Sequence, residues 1–225
     1  ALSALSSSRA EQQKLIVDRH NALRRGVKPT ASNMMKMEWC PPAAENAQNW
    51  ANQCTLRHSP PNLRRTNVLC GENLFMSSAP FSWSDVLQAW YNEEKNFKYG
   101  TGAKTKGAVI HSEIMCLFFN LQLIWYNSYK VGCGVSYCPM GSYKYFYVCQ
   151  YCPAGNNPMQ IAMPYRSGPK CADCPGHCDK GLCTNPCKYQ DLLGNCKNLK
   201  MLFGCSHSLV KKKCPASCKC TTQII

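Results

Sequence analysis

Eighteen cysteines dominate the chemistry open to this 225-residue chain. Ten of them crowd between residues 171 and 220, and eight are spread over residues 1–164. Thiols at that density either oxidise in pairs or ligate metal. The spacings Cys171-x2-Cys174 and Cys178-x4-Cys183 are ones that a zinc site uses. An even count and a density foreign to reducing compartments favour disulfides and an exported protein. Which sulfur meets which is not contained in the spacing.

Charge is the second chemical signal. Twenty-six Lys and Arg stand against twelve Asp and Glu, a formal charge of +14. Such a chain suits anionic membranes, acidic glycans or an acidic channel vestibule; nucleic acid fits poorly with an exported compartment. Lys211, Lys212 and Lys213 form a cluster near Lys219, and Lys197 to Phe203 interleaves basic with apolar residues. A stapled basic knob of this kind suits an acidic pore mouth, with Lys200 and Phe203 as further contacts. Leu202 reads as a filler of the small core there, and Phe203 as either filler or contact. No serine or cysteine lies in a nucleophile motif, and His20, His177 and His207 read as surface or packing residues.

These groups need elements to hold them. Ser8-Arg9-Ala10-Glu11 has the form of a capping box, opening a helix with Ile16, Leu23 and Val27 on its apolar side and stopping near Gly26 and Pro29. Met35, Met37 and Trp39 alternate as a short strand does. Pro41 and Pro42 suit a first helical turn, followed by Ala43, Ala47, Trp50 and Cys54 at helical spacing. Ser82 or Ser84 caps a helix carrying Val86, Leu87 and Trp90. Strands are expected at Leu123–Tyr126, Val131–Tyr137 and Tyr143–Tyr151, the last two joined at Pro139-Met140-Gly141-Ser142. Helices first and strands late predict an α+β layered domain.

A polar Pro/Gly stretch, Met163 to Pro169, then reads as a linker. The divisions that follow are a first domain at 1–164 and a cysteine-dense tail from residue 165. The tail has too few Leu, Met, Phe and Val to hold itself without covalent staples. No apolar run approaches the ~20 residues of a membrane span. The opening residues, ALSALSSSRA, lack the pattern of an export signal and read as a mature start. No N-x-S/T site occurs.

Five stretches carry a resemblance: His20-Asn21-Ala22-Leu23-Arg24-Arg25, Lys36-Met37-Glu38-Trp39, Cys70-Gly71-Glu72-Asn73-Leu74, Tyr147 to Asn156, and Gly181 to Cys187. Together they resemble the cysteine-rich secretory protein family, a branch of the CAP superfamily, from about residue 11 to 225. The resemblance implies a three-layer α-β-α sandwich at 1–164, a stapled hinge at 165–186, and at 187–225 a small, mostly helical cysteine-rich module similar to sea-anemone channel-blocking toxins. It implies the pairs Cys54–Cys138, Cys70–Cys152, Cys133–Cys149, Cys171–Cys178, Cys174–Cys183, Cys187–Cys220, Cys196–Cys214 and Cys205–Cys218. Cys40 and Cys116 are left over, as a ninth pair or as free thiols.

The resemblance further implies a cleft of two histidines and two glutamates, onto which His58, Glu72, Glu93 and His111 fall, and which in some members binds a divalent metal such as zinc. The stretch from Ile110 to Trp125 departs from the family pattern around His111, so that Phe119 competes for the histidine position. A loop insertion and translated intron sequence both account for it. Implied functions are regulation of an ion channel or another cell-surface protein by the tail, and adhesion, including to gamete membranes, by the sandwich. Venom, saliva and the male reproductive tract are sources that fit. A metal-dependent hydrolase or protease, or a sterol or lipid carrier, is the alternative for the cleft. A histidine with two carboxylates would suit general acid–base hydrolysis.

Overall fold

The computed structural model describes residues 1–104 and 121–225; His111, Cys116 and most of the divergent Ile110–Trp125 stretch lie outside the described residues. In chain order the described elements are α1 (Leu2–Leu5), α2 (Ala10–Arg25), β1 (Glu38–Trp39), α3 (Pro41–Asn52), β2 (Gly71–Ser77), α4 (Trp83–Asn92), β3 (Phe97–Lys98), β4 (Gly102–Ala103), β5 (Lys130–Tyr137) and β6 (Tyr145–Cys152). The C-terminal part adds β7 (Cys178–Asp179), β8 (Leu182–Cys183), α5 (Cys196–Phe203), α6 (Ser208–Lys213) and α7 (Pro215–Lys219).

The middle layer is a four-stranded sheet in the order β1-β5-β6-β2, with β1 parallel to β5 and the other pairs antiparallel. Side chains alternate along each strand, and both faces are covered. Val131, Cys133 and Val135, with Tyr147, Cys149 and Tyr151, face α2 and α4 through Ile16, Leu23, Trp83, Leu87 and Trp90. Phe146 and Val148 face α3 through Ala47, Trp50 and Ala51. The result is a three-layer α-β-α sandwich. On the α3 side, β5 carries Gly132 and Gly134. A Cβ at Gly132 would sit 2.1 Å from the Ala44 backbone nitrogen, and one at Gly134 would sit 2.5 Å from the Gln48 Cα. The helix therefore lies against the bare strand backbone, and the Gly-Cys-Gly spacing makes room for it.

Three polar residues of α2, His20, Asn21 and Arg24, are buried with its apolar ones. Arg24 is 1% exposed. Its guanidinium donates to the carbonyls of Met35, Leu123, Trp125 and Tyr126 at 2.8–3.1 Å. The Asn21 amide donates to the Met37 carbonyl, and its oxygen accepts from the Met37 N–H. His20 bridges the Ile16 carbonyl and the Tyr151 hydroxyl. Burial lowers the His20 pKa to about 4, and the bond to the Ile16 carbonyl offsets only part of that.

Four local expectations are corrected. Ser8 does not cap α2: its hydroxyl is taken by Ser6 Oγ, the cap position passes to Arg9, and Glu11 bonds the Arg9 side chain instead. Leu123–Tyr126 is no strand. Leu121–Ile124 is a 3-10 turn, and Arg24 claims the carbonyls that a ladder would need. The Met35–Trp39 strand shortens to β1, with an isolated bridge from Met35 to Cys183. Finally, Gly71–Ser77 forms β2, where the sequence reading has no strand. By contrast Ser82 caps α4, its oxygen accepting from the Asp85 N–H, and Pro41 and Pro42 open α3.

The linker stretch is docked rather than loose. Ser167 bridges Ala31, the Arg166 N–H donates to Asn33 Oδ1, and Tyr165 is buried. The Cys183 N–H donates to the Met34 carbonyl, the Lys36 N–H to the Cys183 carbonyl, and Leu182 enters the sandwich core. Among the described residues eight disulfides are closed: 54–138, 70–152, 133–149, 171–178, 174–183, 187–220, 196–214 and 205–218. Cys40 is a free, buried thiol packed beside Cys70 and Cys152. The last three disulfides run through the tail, whose inner side holds little else than Leu199, Val210 and Ala216.

Two measurements check this account. Gly132→Ala forces a methyl into helix backbone that has no flexible end to yield, so denaturant unfolding with disulfides intact should show a loss of at least ~2 kcal/mol. His20 gives a pH slope. An unfolded histidine near 6.5 binds a proton that the folded one refuses until about 4. Its contribution is therefore full above 6.5 and declines as pH falls through that window. His20→Gln should flatten the slope of unfolding free energy between those values.

Candidate functional site

The cleft residues that the structure brings together are His58 and Glu72. The Cys54–Cys138 bond fixes the loop entering at His58, and the Trp50 indole N–H holds that loop by the Arg57 carbonyl at 2.7 Å. Glu72 lies on β2 opposite Gln150 of β6, one turn of pleat from the Cys70–Cys152 bond. His58 Nδ1 is 2.9 Å from Glu72 Oε1. The Ser59 N–H also donates to Oε1, while Ser59 Oγ and the Gln150 amide donate to Oε2 at 2.6 and 3.1 Å. Arg64 stands 3.8 Å from the same carboxylate and donates to the Ser59 carbonyl.

Burial by itself would raise the Glu72 pKa, since the carboxyl is fully enclosed. The hydrogen bonds from His58 and Ser59 outweigh it and hold the group below the ordinary carboxylate range. An ionised carboxylate only accepts, so the His58 Nδ1–H must donate. That fixes the tautomer and puts the ring lone pair on Nε2. With both oxygens of Glu72 engaged by two donors each, Glu72 orients the imidazole, the part that a carboxylate plays behind a metal-bound histidine. Imidazole Nε2 in this tautomer suits zinc; Glu72 itself is better fitted to support a ligand than to be one.

Glu93 follows α4 at the head of the 3-10 turn Glu93–Asn96. It lines a cavity of about 40 Å³ with Trp90, Phe97, Leu121 and Ile124. The Trp90 indole donates to the Leu74 carbonyl, which fixes α4 over β2. Sequence reasoning missed Ser59, Arg64 and Gln150. Ser59 and Gln150 each lay beside or within a motif already singled out, and their polarity in a buried stretch was the available signal.

The zinc spacing in the hinge has another explanation. The sulfurs of Cys171, Cys174 and Cys183 do gather within 4.8 Å, but each is already in a disulfide. The Cys196 and Cys214 sulfurs near Asp191 are bonded to each other, and Asp191 accepts from the Ser217 N–H and Oγ.

The tail presents Lys211, Lys212 and Lys213 in the last turn of α6. Phe203 is 53% exposed, with its ring 5.2 Å from that of His207. Leu202, expected in the core, is 69% exposed; Cys196, Leu199 and Val210 fill the inner side in its place. The Lys200 ammonium turns back to the Ser217 carbonyl at 2.7 Å, so its charge is partly spent inside the module. Among the described residues no helix is long and apolar enough to cross a membrane.

Comparison with known proteins gives these features a lineage. The profile described as cysteine-rich secretory protein family matches residues 17–151, and the one described as Crisp matches 171–225. Cysteine-rich secretory protein 2 of Homo sapiens is 53% identical over all of this chain and 90% of its own length. Cysteine-rich secretory protein 3 of Homo sapiens is 52% identical over all of this chain and 89% of its own. Among solved structures, NaASP2 with Zn2+ is 30% identical with a TM-score of 0.62, covering 78% of this chain and 96% of that one. BmVAL-1 is 26% identical with a TM-score of 0.61, covering 80% and 96%. Two family profiles in chain order, and identity at more than half of all positions to full-length members, lead to one conclusion: this chain belongs to the cysteine-rich secretory protein family.

Proposed function

We propose that this is an extracellular, non-enzymatic binding protein whose C-terminal module engages an ion channel or another acidic cell-surface protein. One observation carries the reading. Lys211, Lys212 and Lys213 project from a module held rigid by three disulfides, beside an exposed Phe203, and none of the three lysines is held in an ion pair among the described residues. Rigid presentation lowers the ordering cost of binding, and clustered charge speeds encounter with an acidic surface. Adhesion through the sandwich, to a cell surface or gamete membrane, is the companion role.

The non-enzymatic reading is supported by the chemistry around His58. The adjacent hydroxyl, Ser59 Oγ, is buried and donates to Glu72 rather than to the imidazole, so it is not an activated nucleophile. A second reading of the cleft rests on the tautomer: His58 would hold zinc through Nε2 with Glu72 behind it, and Glu93 and His111 are the remaining candidates from the sequence. The ion would supply Lewis acidity there; the chain's part is to orient the ring through the Nδ1 contact with Glu72.

Each reading has its measurement. Replacing Lys211, Lys212 and Lys213 by Glu should weaken the effect of the full chain on a responsive channel current by at least ~tenfold in dose; an unchanged dose response removes the charge argument. For the cleft, isothermal titration should show a zinc heat that His58→Ala abolishes and Glu72→Gln weakens by roughly 10–100-fold. Absence of heat in the unmodified chain sinks the zinc reading alone.

A further inference from the structure

Four apolar side chains of the tail's first two helices point outward. Met201 is 77% exposed, Leu202 69%, Phe203 53% and Leu209 44%. Met201 to Phe203 form the last turn of α5, Leu209 lies in the first turn of α6, and α6 ends on Lys211, Lys212 and Lys213. The two helices pack together and are tied by Cys196–Cys214. Their inner side already holds Cys196, Leu199 and Val210. Rotating α5 to bury Met201 and Leu202 would pull Cys196 away from its partner, so the disulfide locks the apolar groups outside.

The charge on this face is one-sided. From Leu192 to Ile225 the chain has lysines at 197, 200, 211, 212, 213 and 219, and no Asp, Glu or Arg. The acid just before it, Asp191, is occupied by Ser217. A sulfated glycan matches lysines but gains nothing from four exposed apolar side chains. An anionic bilayer takes both: ammonium groups meet the headgroup charge, and apolar side chains enter the boundary with the acyl chains.

We propose that the α5–α6 face docks on an anionic lipid surface, with Met201, Leu202 and Phe203 entering the headgroup layer and Lys211, Lys212 and Lys213 seated on its charge. This goes beyond the channel reading and does not depend on it, because the contact needs no membrane protein. It would hold the module in the plane where its protein partners stand.

The test is sedimentation of the full chain with vesicles of phosphatidylcholine alone, and with about a third phosphatidylserine. The expected result is binding to the anionic vesicles, weakened by salt, and little to the neutral ones. The double variant Met201→Ser, Leu202→Ser should lose about tenfold in partitioning. Both side chains are exposed, and an intact mass showing the disulfides closed confirms that the variant folds. Three results overturn the proposal: no binding to anionic vesicles, unchanged partitioning of the serine variant, or retention on heparin with none on vesicles. Because no channel is present, failure here leaves the channel reading standing, and a silent channel assay leaves vesicle binding standing.

Discussion

A buried guanidinium with no carboxylate partner among the described residues organises this molecule. Arg24 leaves water entirely and is satisfied by backbone carbonyls from two segments far apart in sequence. Charge-assisted bonds to carbonyls are stronger than neutral ones, and carbonyls in a dry interior must find donors; those of Trp125 and Tyr126 also accept from the Ser128 and Met35 N–H groups. The side chain thus ties down chain that lies outside the four-stranded sheet. Asn21 repeats the device on Met37 and His20 on Tyr151. The segment tied down at Leu123–Tyr126 leads into β5, and the one at Met35–Met37 leads into β1 and receives β8. Layer, sheet and hinge all meet on one face of α2.

The cysteines serve two physical regimes. In the sandwich they reinforce a core that already has two covered faces, and Cys133–Cys149 joins residues that the ladder sets opposite each other. In the tail the sulfurs are most of the core. Each such bond restricts the unfolded chain by typically ~2–4 kcal/mol, which a module with so little apolar surface needs. The same scarcity explains why Leu202 and Met201 stay outside: the sulfurs have taken the interior.

The site in the sandwich follows from the same constraints. The Cys54–Cys138 and Cys70–Cys152 bonds hold the His58 loop and the start of β2 in place, and the buried carboxylate of Glu72 then sets the imidazole tautomer. In the tail, staples instead hold charge and apolar surface outward. One chain therefore carries an inward-looking polar cleft and an outward-looking basic face, positioned by covalent bonds of the same kind.

The sequence by itself determined the layered α+β class, the helices opened by Pro41 and Ser82, the hairpin of the last two long strands, and the need for staples in the tail. Those follow from local periodicity, caps and composition, which residues carry wherever the chain goes. It also pointed to His58 and Glu72. Tertiary structure alone decided that Leu123–Tyr126 is not a strand, because a guanidinium a hundred residues away takes its carbonyls. It alone showed that Ser59 and Gln150 complete the hydrogen bonding of Glu72. It turned the linker into a docked segment through the bridge from Ser167 to Ala31 and the hydrogen bond from Arg166 to Asn33, and it put Leu202 in solvent. In each case the deciding contact joins residues distant in sequence, and no pattern within a short window records which of the available partners will win.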